Sequence, residues 1–156
     1  MQELEESQLV LHMSKALTLA KKSASYGEIP VGAVIILNGE IIGEGFNTVI
    51  KDNCVSSHAE INAIKMASQK INNYRLNDCV MFSTLEPCYM CASAIVHARI
   101  KKLYFSALEP KAGSIVSNDN FFNLKFLNHK VEFSHGILRK ETSSLMKDFF
   151  LSLRNN

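Results

Sequence analysis

Four side chains in this sequence have the types and spacing of a metal-dependent hydrolytic site. Cys88 and Cys91 are three residues apart in a Pro-Cys-x-x-Cys motif, so on a helical turn both thiols lie on one face. His58 supplies an imidazole earlier in the chain, and two thiolates with one imidazole make three ligands for zinc. A structural zinc site is usually closed by a fourth protein ligand. A catalytic site leaves that position to water, whose pKa zinc lowers toward neutrality.

Glu60 stands two positions after His58, in the tripeptide His-Ala-Glu. Side chains two residues apart on a helix do not face each other, so Glu60 is a poor second ligand from that helix. We expect it instead to take a proton from the water at the metal and to pass protons on to a substrate. His58 and Cys88 are each expected to open a helix, where the positive N-terminal potential favours a thiolate.

The same residues allow three other interpretations. A thioredoxin-type redox site also uses Cys-x-x-Cys, but it has no use for His58 or Glu60. Cys54 could act as a fourth zinc ligand, which would close the site and abolish catalysis. The two motifs could also be fortuitous, but the complete set of four residues favours an open zinc site. No chemistry is expected of Cys79, a small buried hydrophobe at the start of a strand, or of His12, His97, His129 and His135.

Length and composition describe an ordinary globular chain. Its 156 residues predict a single domain over residues 1–156. No apolar run is long enough to span a membrane, and the acidic start is unlike a secretory or transit peptide, so a cytoplasmic location is expected. Residues 1–98 hold 7 Lys/Arg and 10 Asp/Glu, a net of −3, whereas residues 99–156 hold 10 and 5, a net of +5. This asymmetry is compatible with a polyanionic partner, although charge alone favours a scattered solvated surface.

Hydrophobic periodicity predicts helices that alternate with strands. Helices are expected near residues 7–25, 58–69, 87–98, 117–124 and 137–153, and strands at 31–37, 41–47, 79–84, 101–106 and 130–134. Asn38-Gly39 is a two-residue hairpin signal, and Gly43 and Gly45 mark a bulge or a close backbone approach. Residues 48–57 are expected to form a loop. The core stripe expected of the last helix is Leu138, Leu145, Phe149 and Leu153. The order of elements predicts a three-layer α/β/α domain around a five-stranded mixed sheet.

Motifs spread over nearly the whole chain carry a family resemblance. They are residues 27–34 (Gly-Glu-Ile-Pro-Val-Gly-Ala-Val), 43–47 (Gly-Glu-Gly-Phe-Asn), 58–61 (His-Ala-Glu-Ile), 74–76 (Tyr-Arg-Leu), 84–91 (Thr-Leu-Glu-Pro-Cys-Tyr-Met-Cys), 110–113 (Pro-Lys-Ala-Gly), 128–129, 136–138 and 148–150. With these motifs the chain resembles the cytidine-deaminase-like zinc deaminases and, more narrowly, the bacterial tRNA-specific adenosine deaminases. The His-Ala-Glu and Pro-Cys-x-Met-Cys pieces are shared with guanine and cytosine deaminases, so the narrower assignment depends on the flanking motifs.

The resemblance implies hydrolytic conversion of adenosine to inosine at the wobble position of a tRNA anticodon, on a cytidine-deaminase-like fold. It implies one Zn²⁺ per subunit on His58, Cys88 and Cys91, with Glu60 as the general acid and base. By matching position, Asn47 should hydrogen-bond the flipped base, and Ile29 and Leu85 should line its apolar faces. The positions implied to meet the anticodon stem-loop are Glu109, Lys111, Asn128, Phe149 and Arg154. The family is homodimeric, so a homodimer is expected.

Three features depart from the family pattern. Cys54-Val55-Ser56-Ser57 stands where Asp-Pro-Thr-Ala is usual, and Glu109 stands where Asp usually touches the nucleotide beside the target. The basic tail common in the family is missing after Arg154, so we expect RNA binding to depend more on lysines, namely Lys101, Lys102 and Lys111.

Two rival functions share parts of this pattern. A deaminase of free guanine or cytosine would use the same zinc ligands and Glu60. A non-catalytic RNA-binding subunit with a structural zinc is the second rival, and Glu60 argues against it because such subunits tend to lose the acidic residue.

Overall fold

A five-stranded mixed sheet forms the centre of the chain, whose computed structural model describes residues 3–155. The strand order is β2-β1-β3-β4-β5. β1 pairs antiparallel with β2 and β3, whereas β3, β4 and β5 run parallel. The strands are β1 (Gly32–Leu37), β2 (Glu40–Phe46), β3 (Val80–Leu85), β4 (Lys102–Ala107) and β5 (Glu132–His135). The predicted five-stranded mixed sheet is therefore confirmed.

Helices cover both faces of this sheet. They are α1 (Glu6–Ser25), α2 (Val49–Asp52), α3 (Ala59–Ile71), α4 (Tyr89–His97) and α5 (Arg139–Arg154), with a 3₁₀ turn at Phe121–Asn123. One apolar cluster joins α3 and α4 to the sheet, and the other lies on the opposite face beneath α1. Thr142 of α5 bonds Ser106 of β4 on that second face. This arrangement confirms the predicted three-layer α/β/α fold. No helix within residues 3–155 is long and apolar enough to cross a membrane.

Glycines let β2 lie close to α3. A Cβ at Gly45 would collide with the Ala59 carbonyl, and one at Gly43 with that of Ala63. The β1–β2 register also shifts between Ile35 and Ile36, opposite Gly43. The sequence prediction of a bulge or close approach is thus confirmed on both counts, and it explains how α3 comes near enough to the sheet to carry a site residue.

Three local predictions were wrong. The expected loop at 48–57 contains the short helix α2, and the helix expected at 117–124 is reduced to the 3₁₀ turn. The expected core stripe of α5 is largely uncovered, because the helix packs mainly on β4 and α1, although Leu138 at its N-cap does pack against the second apolar cluster. Leu153 is 51% exposed, Leu145 and Phe149 are half-buried, and Thr142 is the buried residue of α5.

Candidate active site

Two helix starts converge at one edge of the sheet. His58 is the N-cap of α3 and Cys88 is the N-cap of α4, each with an extended backbone at φ −76° and −75°. α4 follows β3 through only Glu86 and Pro87, so Cys88 lies at the carboxyl end of that strand. Because β3 and β4 are parallel, the chain leaving β4 starts at the same edge. Crevices of this kind are where open α/β sheets bind ligands.

The His58, Cys88 and Cys91 ligand atoms are close enough to share one ion. The Nδ1 atom of His58 lies 3.7 Å from the Cys88 Sγ and 3.4 Å from the Cys91 Sγ. Tetrahedral zinc with its usual bond lengths to sulfur and nitrogen separates such atoms by about 3.6 Å. All three atoms lie within 4.8 Å of one another, and Cys54 is not part of the group. The donor set and its spacing therefore fit zinc.

The cysteine pair is electrostatically prepared for a cation. The hydrogen bond between Cys88 and Cys91 and, to a lesser extent, the bond with the His58 ring lower the pKa of the Cys88 thiol to about 4. The same bond with Cys88, together with burial, raises the pKa of the Cys91 thiol. In return, the bond with Cys88 raises the pKa of His58. A lowered pKa favours the Cys88 thiolate, which is the form that binds zinc.

Glu60 lies in the first turn of α3 and borders the same cavity as His58 and Cys88. Its side chain is only 4% exposed, and burial raises its pKa to about 6. A carboxyl group with a pKa near the working pH exchanges protons more readily than an ordinary glutamate. Glu60 is outside the three-atom ligand group, so its position suits a proton carrier.

The cavity beside these residues measures about 200 Å³. Four residues singled out from the sequence line it, namely Ile29, Asn47, Leu85 and Glu109. Val31, Ala59 and Ala112 add apolar surface. A small, mostly apolar chamber with a few fixed polar groups is the usual form of a small-ligand site.

The Asn47 side chain is held in a fixed orientation. Its Nδ2 donates to the Ile29 carbonyl at 3.3 Å, and its Oδ1 accepts from the Val49 N–H at 3.4 Å. These bonds use one N–H and one lone pair, which leaves the amide one donor and one acceptor for a ligand. Ser23 of α1 fixes the same wall, because its hydroxyl bonds the carbonyls of Ile29 and Asn47.

The remaining residues singled out from the sequence lie outside the cavity lining. Lys111 is exposed on the loop after β4, and its N–H donates to the Glu109 carboxylate. Asn128 accepts a bond from Arg99 just beyond the end of α4, at the opposite end of that helix from Cys88. Phe149 and Arg154 lie on α5. Their contacts with a nucleic acid stay a prediction.

The sequence did not single out Glu86, whose buried carboxylate organises the loop after β4. It accepts backbone N–H bonds from four loop residues, Glu109, Ile115, Val116 and Ser117, at 2.8–3.1 Å, and one from the Ser117 hydroxyl. Its partners lie 23 to 31 residues away. Hydrophobic periodicity does not predict contacts between residues so far apart in the sequence. The structural role of Glu86 could therefore not be predicted from its position between Leu85 and Pro87.

Comparisons with known proteins agree on one family. Residues 6–107 match the family model of the cytidine and deoxycytidylate deaminase zinc-binding region. The chain is 45% identical over 143 residues to the tRNA-specific adenosine deaminase of Haemophilus influenzae, covering 91% of this chain and 83% of that protein.

Two solved structures are also similar. One comes from a study of A-to-I editing by tRNA:A34 deaminases at the wobble position of transfer RNA. It has a TM-score of 0.84 at 36% identity and covers 86% of this chain and 98% of that one. The other is a guanine deaminase from Nitrosomonas europaea, with a TM-score of 0.79, 21% identity and coverage of 90% and 83%. At that identity the second likeness shows the fold alone.

Proposed function

Because the chain belongs to the zinc-dependent deaminase family and, within it, to the tRNA-specific adenosine deaminases, we propose that it converts adenosine to inosine at the wobble position of a tRNA anticodon. The observation that carries the proposal is a single cavity lined by His58, Cys88, Glu60 and Asn47. In this proposal the residues around that chamber act as zinc ligands, as a proton carrier and as an amide that reads the base. The substrate assignment follows from the relatives, since free-base deaminases share the same zinc chemistry.

The residues divide the reaction between them. His58, Cys88 and Cys91 would hold the zinc, which when bound supplies a water molecule of lowered pKa as the nucleophile. Glu60 would accept a proton at this site and return protons to the base and to the leaving amine. Water and adenosine are consumed, and inosine and ammonia are formed. The buried position of Glu60 keeps bulk water from competing for these protons.

Asn47, Ile29 and Leu85 bind the flipped base in this proposal. The free donor and acceptor of the Asn47 amide bond the edge of the base, while Ile29 and Leu85 pack on its faces. Glu109 at the cavity wall and four residues outside it contact the rest of the anticodon stem-loop, the four being Lys111, Asn128, Phe149 and Arg154. Single-stranded loops are read in this way, by splaying bases into protein pockets.

We further propose a homodimer that acts in the cytoplasm. The dimer is supported by exposed apolar side chains on α3 and α4, the helices that carry the site. They are Met66 of α3 and Tyr89 and Met90 of α4. Support for the location is that all four cysteines are free. Light scattering coupled to size exclusion should give a mass near twice the 17.4 kDa of one chain.

An ammonia-release panel tests the substrate assignment. The zinc-loaded protein is offered an anticodon stem-loop containing the wobble adenosine, free adenosine, guanine and cytosine. The proposal predicts turnover of the stem-loop and little or none of the free compounds. Turnover of guanine or cytosine with none of the stem-loop would assign the chain to the free-base deaminases instead.

A further inference from the structure

A patch of alternating lysines and aromatic rings adjoins the lip of the active-site cavity. It consists of Lys22 at the end of α1, Tyr26, Phe46 at the end of β2, and Lys51 of α2. The Tyr26 and Phe46 rings lie nearly parallel at 15°, with centroids 6.2 Å apart. The Lys22 Nζ lies 5.2 Å from the centre of the Phe46 ring, and the Lys51 Nζ lies 5.7 Å from that of Tyr26. We call these four residues the lysine–aromatic patch.

The patch is open to solvent and carries uncompensated charge. Tyr26 is 57% exposed, and both lysines are exposed. Within residues 3–155, neither ammonium group lies within 4.0 Å of a carboxylate. The Phe46 ring is half-buried beneath them, so the patch offers one exposed ring flanked by two cations. Single-stranded nucleic acids stack bases on such rings and rest their phosphates on such cations.

Hydrogen bonds to a buried carboxylate beside the cavity wall hold Lys51 of the patch in place. Phe46 directly precedes Asn47 in the chain. Tyr26 lies two residues before Glu28, which is buried and only 1% exposed. The Glu28 carboxylate accepts from the N–H groups of Ile50 and Lys51 at 3.0 and 2.8 Å. It therefore ties α2, and with it Lys51, to the segment that carries Ile29. The patch is continuous with the wall that holds Asn47.

We propose, on the basis of the proposed function, that the lysine–aromatic patch binds a nucleotide next to the flipped adenosine. Tyr26 stacks on its base, and Lys22 and Lys51 bind the flanking phosphates. A strand that places one base in the cavity passes over the lip formed by Ile29 and Asn47. The patch begins at that lip. The RNA strand leaving the cavity there would therefore contact the patch without first reaching the loop with Lys111 or helix α5.

Binding and turnover of a fluorescent anticodon stem-loop test this proposal, with Lys22→Ala/Lys51→Ala, Tyr26→Ala and Tyr26→Phe as variants. The lysine double variant should lower the slope of log affinity against log salt by about 1.4, because each single-stranded phosphate contact contributes about 0.7. Tyr26→Ala should weaken binding at least about fivefold, and Tyr26→Phe should restore it because the ring is kept. In the lysine double variant and in Tyr26→Ala, KM should rise while kcat for saturating stem-loop stays within about twofold, since neither touches the reacting base, and Tyr26→Phe should keep the wild-type KM.

Lys70→Ala is the matched control. Lys70 is also exposed but lies 12 residues along the chain from His58, near the far end of α3, so its loss should leave the salt slope unchanged. Zinc content and melting temperature show that each variant is folded. An unaltered slope and affinity in the lysine and Tyr26→Ala variants would overturn the patch, and so would a changed oligomeric mass with unchanged RNA binding. A wild-type protein that binds the stem-loop without deaminating it would contradict the proposed function, while the binding series would still decide the patch.

Discussion

The carboxylate of Glu86 accepts a hydrogen bond from the backbone N–H of Glu109 at 3.1 Å, across 23 residues of sequence. Glu86 stands between Leu85 and the Cys88 N-cap of α4, and Glu109, on the loop after β4, lines the same cavity. Through this bond the zinc-binding edge and the loop after β4 are joined by one buried side chain. The distance between the metal site and that loop is therefore set by Glu86.

Glu86→Gln should lower the free energy of unfolding at neutral pH by about 2 kcal/mol or more. An amide cannot accept all the N–H bonds of a carboxylate, and buried unpaired N–H groups cost about 1–3 kcal/mol. Burial opposes ionisation of Glu86, but the bonds from Ser117 and its neighbours outweigh it and keep the carboxyl pKa below its ordinary value. The stabilisation is thus present above the unfolded pKa of about 4.3 and is lost as the pH falls through the folded value.

Urea unfolding of both proteins between pH 3 and 7 checks this prediction. The stability difference between wild type and Glu86→Gln should be largest near pH 7 and shrink as the carboxyl becomes protonated. A difference that is constant across this range would mean that the charge of Glu86 contributes nothing. The conservative change Glu141→Gln, at an exposed position of α5, is the control and should be close to neutral at every pH.

Gly113→Ala should displace the loop that carries Glu109. A Cβ at Gly113 would collide with the Glu86 carboxylate and with the Glu109 carbonyl. Both obstacles are buried or backbone groups that have little room to move, so we expect a loss of about 1–3 kcal/mol of stability. KM for the stem-loop should rise while bound zinc stays at one equivalent. Gly27→Ala is a poor control because its φ is +78°, whereas Ser25→Ala on the exposed end of α1 is suitable.

Glu60→Gln should keep zinc and fold but lose deamination by about 10²–10⁴-fold, the usual contribution of a positioned acid–base group. The amide has nearly the shape of the carboxyl group but cannot carry the proton. Zinc analysis and single-turnover inosine formation on the stem-loop measure the two effects separately. Retained activity would remove Glu60 from the mechanism, and lost zinc would mean that Glu60 supports the metal.

Cys88→Ala should lose both zinc and activity, because two protein ligands hold zinc much less tightly than three. Cys54→Ala is the matched control. That thiol is exposed, lies 3.2 Å from the Ser56 hydroxyl and is outside the ligand group, so the variant should keep one zinc and full activity. Zinc measured by atomic emission after gel filtration decides between them. Loss of zinc from Cys54→Ala would instead support the alternative in which Cys54 is a fourth zinc ligand and closes the site.

Local patterns predicted the sheet, the helix starts and the zinc cluster, because each depends on spacing within one element or on a recurrent motif. Asn38-Gly39 forms its two-residue turn with φ of 50° and 81°, as the dipeptide predicts. The environment of Cys79 also follows the prediction of a buried thiol. By contrast, the bonds of Glu86 and Glu28 join segments more than 20 residues apart, and no sequence period encodes them.

In helix α5, a local pattern predicted burial that the structure does not show. Its leucines and phenylalanines have helical spacing, which predicts a buried stripe, yet the helix is an outer layer with little above it. Periodicity gives the apolar face of a helix but not what covers that face. The short helix α2 was missed for a related reason, since it depends on capping by the distant Glu28 carboxylate more than on its own four residues.

The most direct test of the central claim is to map inosine by sequencing in total tRNA incubated with the zinc-loaded wild type and, in parallel, with Glu60→Gln. The account predicts A-to-I conversion confined to wobble adenosines with the wild type, and none above background with the variant. No inosine in any tRNA with the wild-type protein, while the same preparation releases ammonia from free guanine or cytosine, would contradict it.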